Sequence, residues 1–173
     1  MVSVVVTEGA ERQASRLEEL YERHAPTAVR LAYLVTADPE LARDVAQDAF
    51  VRVAGRFRHL RFPDAFDAYL RRTVVNLCLS HFRHEKVERQ FLERAAAAPG
   101  PTVDPPDLGA RDDLARALRR LPVRQRTAIV LRYYEDLTEE GVASAMGCSA
   151  AAARSLVSRG METLRTFYGR QER

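Results

Sequence analysis

Arg154, Ser155, Ser158 and Arg159 lie within two helical turns of one another near the C-terminus, and all four side chains can hydrogen-bond to nucleic-acid bases or phosphates. An arginine fork donates two bonds to guanine O6 and N7, and serine serves as donor or acceptor to bases and phosphate alike. A second set runs from Arg58 to Lys86. There Arg58, Arg61, Arg71, Arg72, Arg83 and Lys86 alternate with His59, Phe62, Phe66, Tyr69, Asn76 and Phe82. Aromatic faces stack on single-stranded bases at about 1–3 kcal/mol each while arginines hold the backbone. Helical spacing assigns Tyr69 and Phe82 to a core, whereas His59 and Phe62 in a loop suit base binding. A third set, Asp44, Gln47 and Asp48, falls at i, i+3 and i+4 and so shares one helix face. Such a face either docks another protein or is simply solvated.

Other chemistries lack their parts. Cys78, His81 and His84 recur at i, i+3 and i+6, which spreads the outer two by about 120° around a helix. Zinc needs four converging ligands and no fourth stands nearby, so no metal site is expected. There is no nucleophile elbow, phosphate-binding glycine loop or HExxH pair, so neither a catalytic residue nor a cofactor is expected. Two cysteines make no disulfide framework and point to a reducing cytoplasm. No apolar run approaches the roughly 20 residues of a membrane span. Met1 to Ala10 lacks the basic segment and apolar core of a secretory signal.

The elements that must carry these groups are helices. Leu17, Leu20, Tyr21, His24, Ala28, Leu31, Ala32 and Val35 recur at helical spacing and predict a helix from about Gln13 to Thr36. Asp38-Pro39 reads as a cap and first-turn proline for a second helix with Leu41, Val45, Ala49, Phe50, Val53 and Phe57 inward. Pro63 breaks the pattern, and a third helix follows from Ala65 to about Ala96, with Tyr69, Leu70, Val74, Leu77, Cys78, Phe82, Val87 and Phe91 inward.

Ala98 to Gly109 contains four prolines and two glycines and reads as a linker. Beyond it come helices over Leu108–Leu121, Pro122–Tyr134, Thr138–Met146 and Ser149 to about Tyr168, the last with Ala153, Val157, Met161, Leu164 and Tyr168 inward. Gly147 can end one helix in the left-handed conformation and Ser149 can cap the next. Two helices joined by so short a turn form a helix-turn-helix, whose second helix enters the DNA major groove. Apart from the short Val2–Val6, no segment has strand periodicity. The expected fold class is therefore all-α: two small helical domains on a flexible Pro-rich linker, with a C-terminal helix-turn-helix. The expected boundaries are 1–12 for a loosely ordered N-terminus, 13–97, 98–109 for the linker, and 110–173.

Charge follows this division. Glu8 to Asp48 has nine acids against five arginines, and Ala49 to Arg94 has ten Lys/Arg against five acids. Arg111 to Arg173 has twelve arginines against eight acids. Two basic segments could serve one DNA target, since phosphate neutralisation depends on local charge rather than on the net +3.

Taken in order, these segments resemble the extracytoplasmic-function sigma factors of the bacterial sigma-70 family, from about Leu17 to Leu164. LYERHAPTAVRLAYLVTADPELARDVAQDAFVRVAGRF is similar to regions 2.1–2.2, and FDAYLRRTVVNLCLSHFRHEK to regions 2.3–2.4. LPVRQRTAIVLRYYEDLTEEGVASAMGC is similar to regions 4.1 and early 4.2, with the linker where region 3 is missing. The resemblance implies that Asp44, Gln47 and Asp48 dock on the β′ clamp of core RNA polymerase. It implies that Arg58, His59, Phe62, Arg71, Arg72, Asn76 and Arg83 bind the −10 promoter element and help to melt it. Arg154, Ser155, Ser158 and Arg159 then read the −35 element, while Arg124, Arg126 and Arg132 touch the DNA backbone and face the β flap. The flexible linker suggests an anti-sigma protein that clamps the two domains.

Three positions depart from the family pattern. Ala152 stands where threonine is usual, Leu156 where a basic residue is, and Gly141 where glutamate would complete a capping box with Thr138. Two other readings stay open on the sequence. A stand-alone helix-turn-helix regulator would bind a palindromic duplex as a dimer, and a helical adaptor or enzyme subunit would show no DNA dependence.

Overall fold

The computed structural model describes residues 2–57, 64–95 and 112–171, and these form seven helices with no strand among the described residues. Helix α1 spans Val2–Thr36, α2 Pro39–Phe57 and α3 Asp64–Ala95. Helix α4 spans Asp112–Arg119, α5 Val123–Ile129, α6 Glu139–Met146 and α7 Ala150–Gln171. The loop carrying Arg58, His59 and Phe62 and the expected linker at 98–109 lie outside the described residues.

Helix α1 starts well before Gln13, so the segment expected to be loosely ordered is helical from Val2, and Val2–Val6 forms no strand. Adding a turn to an existing helix costs far less than nucleating one, so a weak segment without proline can continue it. The α1–α2 corner is tight. Ala37 takes φ 57°, its N–H bonds to the Tyr33 carbonyl, and Asp38 Oδ1 accepts from the N–H of Glu40 (2.9 Å) and Leu41 (3.0 Å). The expected aspartate cap is therefore present.

Helices α1, α2 and α3 bury one another's apolar stripes: Leu31 and Val35 from α1, Ala49 and Val53 from α2, Phe66, Leu70 and Val74 from α3. Removing such side chains from water is the main stabilising term, about 1.5–3 kcal/mol for each leucine, valine or phenylalanine. Phe50 is the hinge of an aromatic row, 4.9 Å from the Tyr21 ring and 6.1 Å from Phe66. The inward list for α3 fails at its far end, because Val87 and Phe91 are exposed where the helix outruns its partners. Tyr168 is likewise exposed at the end of α7, and Phe167 takes the inward side there with Arg120 over its ring at 4.0 Å.

In the C-terminal half, α5 continues into a π-helical stretch, Val130–Tyr134, in which the Glu135 N–H bonds back to the Val130 carbonyl at 3.1 Å. A π-turn inserts one residue into the helical register and re-aims the chain beyond it. Thr138 caps α6 by accepting from the Gly141 N–H at 3.1 Å, a one-sided cap because Gly141 has no side chain to return the bond. Gly147 closes α6 at φ 62°, and Ser149 Oγ accepts from the Ala152 N–H to open α7.

The two halves pack on each other. Arg126 is buried and donates from Nη1 to the Val35 carbonyl at the end of α1 (2.7 Å) and from Nη2 to the Arg119 and Leu121 carbonyls. Arg119 holds the Ala37 carbonyl next to it. Arg71 of α3 pairs with Glu135 at 2.7 Å across the same seam. Burial draws the Arg126 pKa down to about 10, with the neighbouring Arg119 charge adding to the effect, so the group stays cationic at neutral pH.

Candidate nucleic-acid and protein interfaces

Three faces emerge, each built by a different helix. The first is the outer edge of α7. Capping by Ser149 fixes where α7 begins, which puts Arg154 in its second turn, where recognition helices meet base edges. Arg154, Ser158 and Arg159 are exposed, and Ser155 is half-buried. Arg154 and Arg159 are five residues apart and so flank the edge at about 140° to one another, with the serines between. Arg159 Nε donates to its own helix, at the Ser155 carbonyl. Arg154 instead reaches across the turn to Glu139 at the start of α6, a partner that no local sequence signal announces. Leu156, which replaces a basic residue, packs on the core and does not face outward.

The second face is a groove of about 1050 Å³ between the halves, walled by α2 and α3 on one side and by Val123, Arg124, Met146 and Gly147 on the other. Among the described residues, five cations line it (Arg52, Arg56, Arg83, Lys86 and Arg124) and no carboxylate does, which suits a polyanion. The polar groups Thr73, Asn76 and Ser80 come up one side of α3, where residues three and four apart share a face.

Of the predicted −10 residues, the structure brings together Asn76 and Arg83. Arg72 is exposed one turn before Asn76 and does not line the groove. Arg71 does not belong with them. It lies about 140° round the helix from Asn76, and its guanidinium is taken up by Asp67 (2.6 Å) and Glu135 (2.7 Å).

The aromatic assignments also change. Tyr69 and Phe82 are half-buried rather than core, and both line the groove, Tyr69 with its hydroxyl bonded by Arg56 and Phe82 beneath the Arg126 guanidinium. Phe66 is fully buried instead. Arg52 and Arg56 were missed, although their i, i+4 spacing on α2 was a visible signal of a shared basic edge. Nor does Arg126 face outward as expected of a backbone contact, whereas Arg124 does.

The third face is on α2. Asp44, Gln47 and Asp48 are all exposed, because Val45, Ala46 and Ala49 turn the other way into the core. Beside them lies an apolar groove of about 410 Å³ lined by Leu17, Tyr21, Phe50, Val51 and Ala54, with Gln47 on its rim. An acidic edge next to an apolar slot has the composition of a protein-docking surface. Elsewhere on α3, Cys78 is buried while His81 and His84 are exposed, so these three do not converge.

Comparison with known proteins matches two separate segments of the chain. The model of sigma-70 region 2 matches residues 20–87, and that of sigma-70 region 4 matches residues 111–164. The chain is 32% identical over 149 residues to the RNA polymerase sigma-E factor of Streptomyces coelicolor, covering 86% of this chain and 83% of that one. It is 30% identical over 156 residues to the ECF RNA polymerase sigma factor SigE of Mycolicibacterium smegmatis. That match covers 87% of this chain but only 60% of the relative's length. In fold it is similar to the sigma factor RpoE of Bartonella quintana, solved with the anti-sigma factor NepR, with TM-score 0.68, 21% identity and coverage of 88% and 96%. It is also similar to CnrH, solved with the cytosolic domain of CnrY, with TM-score 0.64, 21% identity and coverage of 96% of each chain.

Proposed function

The chain belongs to the extracytoplasmic-function sigma factors of the sigma-70 family, and from that membership we propose how its three faces divide the work of starting transcription. It is an RNA polymerase sigma factor: it binds the core enzyme and brings it to promoter DNA. The polymerase core carries the chemistry, and the chain's own part is recognition.

The α2 face, Asp44, Gln47 and Asp48, docks on the β′ clamp, with the neighbouring apolar slot adding buried area. The α2–α3 wall of the basic groove, which stays whole when the halves part, receives the −10 element. Asn76 and Arg83 contact it there, Tyr69 and Phe82 offer faces for bases leaving the stack, and Arg58, His59 and Phe62, between α2 and α3 in sequence, join them. Unstacking a base costs a few kcal/mol, and stacking on an aromatic ring returns a comparable amount. The α7 edge, Arg154, Ser155, Ser158 and Arg159, reads the −35 element in the major groove.

The observation that carries this reading is the α2–α3 wall of the groove, within the segment that matches region 2: Arg52, Arg56, Arg83 and Lys86 stand there with Tyr69, Phe82 and Asn76, and no carboxylate is among its described lining. It supports single-strand binding in a way that the helix-turn-helix alone does not.

The packed halves have a consequence for this division. Elements centred about 25 base pairs apart are separated by about 85 Å along B-form DNA. The longest helices, α1 with 35 residues and α3 with 32, reach only about 50 Å at about 1.5 Å per residue. Both elements are therefore engaged only after the seam at Arg126 and Arg71 has opened, and residues 96–111 can span at most about 55 Å when extended.

Run-off transcription with purified core enzyme tests the assignment. Asp48→Arg is expected to abolish co-elution with core while the far-ultraviolet spectrum stays helical. Unchanged co-elution overturns the docking face. One structural neighbour was solved with an anti-sigma factor, and we extend the same class of partner to this chain. A pull-down from the native host that returns only polymerase subunits counts against it.

A further inference from the structure

Arg154 is held before any DNA arrives. Its Nε donates to both Glu139 carboxylate oxygens (3.0 and 2.8 Å), and its Nη2 donates to Oε2 at 2.6 Å. One side of the guanidinium is therefore spent on glutamate. The end of the fork remains: Nη1 has no partner among the described residues, and Nη2 keeps a second N–H. Those two parallel donors are the pair that guanine O6 and N7 accept.

Glu139 is well placed for this task. It is the first residue of α6, in the turn where backbone N–H groups and the helix dipole favour an anion, and Thr138 fixes that turn by its cap. Arg154 itself is 69% exposed while the carboxylate is at 33%, so the support lies beneath and the cation reaches outward. The pair joins the two helices of the helix-turn-helix across fifteen residues of sequence. Arg132 adds positive charge beside Glu139 and helps to hold it ionised.

We propose that Glu139 is the positioning residue that sets guanine preference at one base pair of the −35 element. It does so by locking the Arg154 fork in the orientation that presents its free end to the major groove. An untethered arginine loses several rotatable bonds' worth of freedom on binding and reaches phosphates as readily as bases. A fork held along its side has lost that freedom already and can present only its end. The glutamate also repels phosphate, so it trades affinity for any duplex against discrimination among duplexes. This inference rests on Arg154 facing −35 DNA, as proposed above.

The test uses holoenzyme assembled from the full chain and core RNA polymerase, with a promoter library randomised around −35 and bound molecules sequenced. The chain with Glu139 present is expected to enrich guanine at one position, by between about fivefold and about a hundredfold over other bases. Glu139→Ala is expected to flatten that position while raising retention of random duplex. Glu139→Gln, which keeps one acceptor, falls between. These opposite movements of preference and affinity separate positioning from a mere structural role, and the thermal midpoint of each variant reports folding.

If Glu139→Ala keeps the guanine enrichment while Arg154→Ala loses it, Arg154 remains the reader and the role of Glu139 is overturned. If Arg154→Ala keeps the enrichment, the −35 assignment of Arg154 fails first and the inference falls with it. If Glu139→Ala sharpens the preference, glutamate masks arginine and the proposal is wrong in sign.

Discussion

Cys78 and Cys148 show how burial sets chemistry one residue at a time. Cys78 is fully buried on α3, and burial pushes its thiol up to about 12, whereas Cys148 is half-exposed in the turn after α6. The thiolate is the reacting species, so at neutral pH an alkylating reagent is expected to modify Cys148 in the folded protein and Cys78 only after unfolding. Mass spectrometry of the products counts the labels; two on the folded chain would mean the α3 core opens readily. Glu139 gives a second case. The hydrogen bond from Arg154 holds its carboxyl below the ordinary 4.5, with the Arg154 and Arg132 charges adding. A depressed carboxylate pKa contributes stability that is present above 4.5 and lost as pH falls through the lower, folded value. An NMR titration of the Glu139 carboxyl is expected to show a midpoint under 4.5, with Arg154→Ala moving it back toward that value. Arg154 was legible from residue type and position alone. Glu139 was not, because only the crossing of α6 and α7 brings it to the arginine.

At the scale of elements, two glycines do different work and can be told apart. Gly147 ends α6 at φ 62° with open space around its Cα, so Gly147→Ala meets only the backbone cost of the left-handed region, about 1–2 kcal/mol. Gly160 is buried in the middle of α7, and a Cβ there would come within 2.9 Å of Ile129 Cγ1 on α5. Gly160→Ala is expected to be destabilising through overpacking of about 1–3 kcal/mol, reduced by a gain of about 1 kcal/mol in helix propensity. Denaturant unfolding of the double-mutant cycle with Ile129→Ala checks the cause. The penalty should vanish when Ile129 is truncated, and should persist if the backbone is responsible. The role of Gly147 was readable because a glycine followed by a capping serine is a local signal. The contact of Gly160 with Ile129 was not, since it depends on how closely α7 crosses α5.

For the whole molecule, the seam between the halves carries the largest expectation. Arg126→Ala would strip the buried Val35 and Leu121 carbonyls and the part-buried Arg119 carbonyl of a charged donor. Losses of this kind cost about 2–3 kcal/mol, and the variant should lower the unfolding midpoint and let the halves separate. Labels on α2 at Arg43 and on α7 at Thr163 would report the separation by energy transfer. Their distance is expected to grow by tens of ångströms, on the scale set by B-form DNA, when core enzyme and promoter bind. An unchanged distance would show that one chain does not reach both elements at once. The sequence marked Arg126 only as a surface arginine, because nothing local distinguishes a guanidinium aimed at water from one aimed at a carbonyl ninety-one residues away.

What the sequence determined by itself is the set of helices and their local stops. Apolar spacing, Asp38, Thr138, Gly147 and Ser149 act through neighbours within a turn or two, so their effects are written in adjacent residues. It also showed the exposed acidic edge of α2, because a helix that buries Val45 and Ala49 must turn Asp44 and Asp48 outward. What only the tertiary structure decided is which charges meet. It drew Arg71 away to Glu135, sank Arg126 into the seam, opened the basic groove beside Asn76 and tied Arg154 to Glu139. Long side chains reach several ångströms from their helices. Their partners are therefore fixed by how helices pack, and that is set by the shape of buried surfaces far apart in the chain.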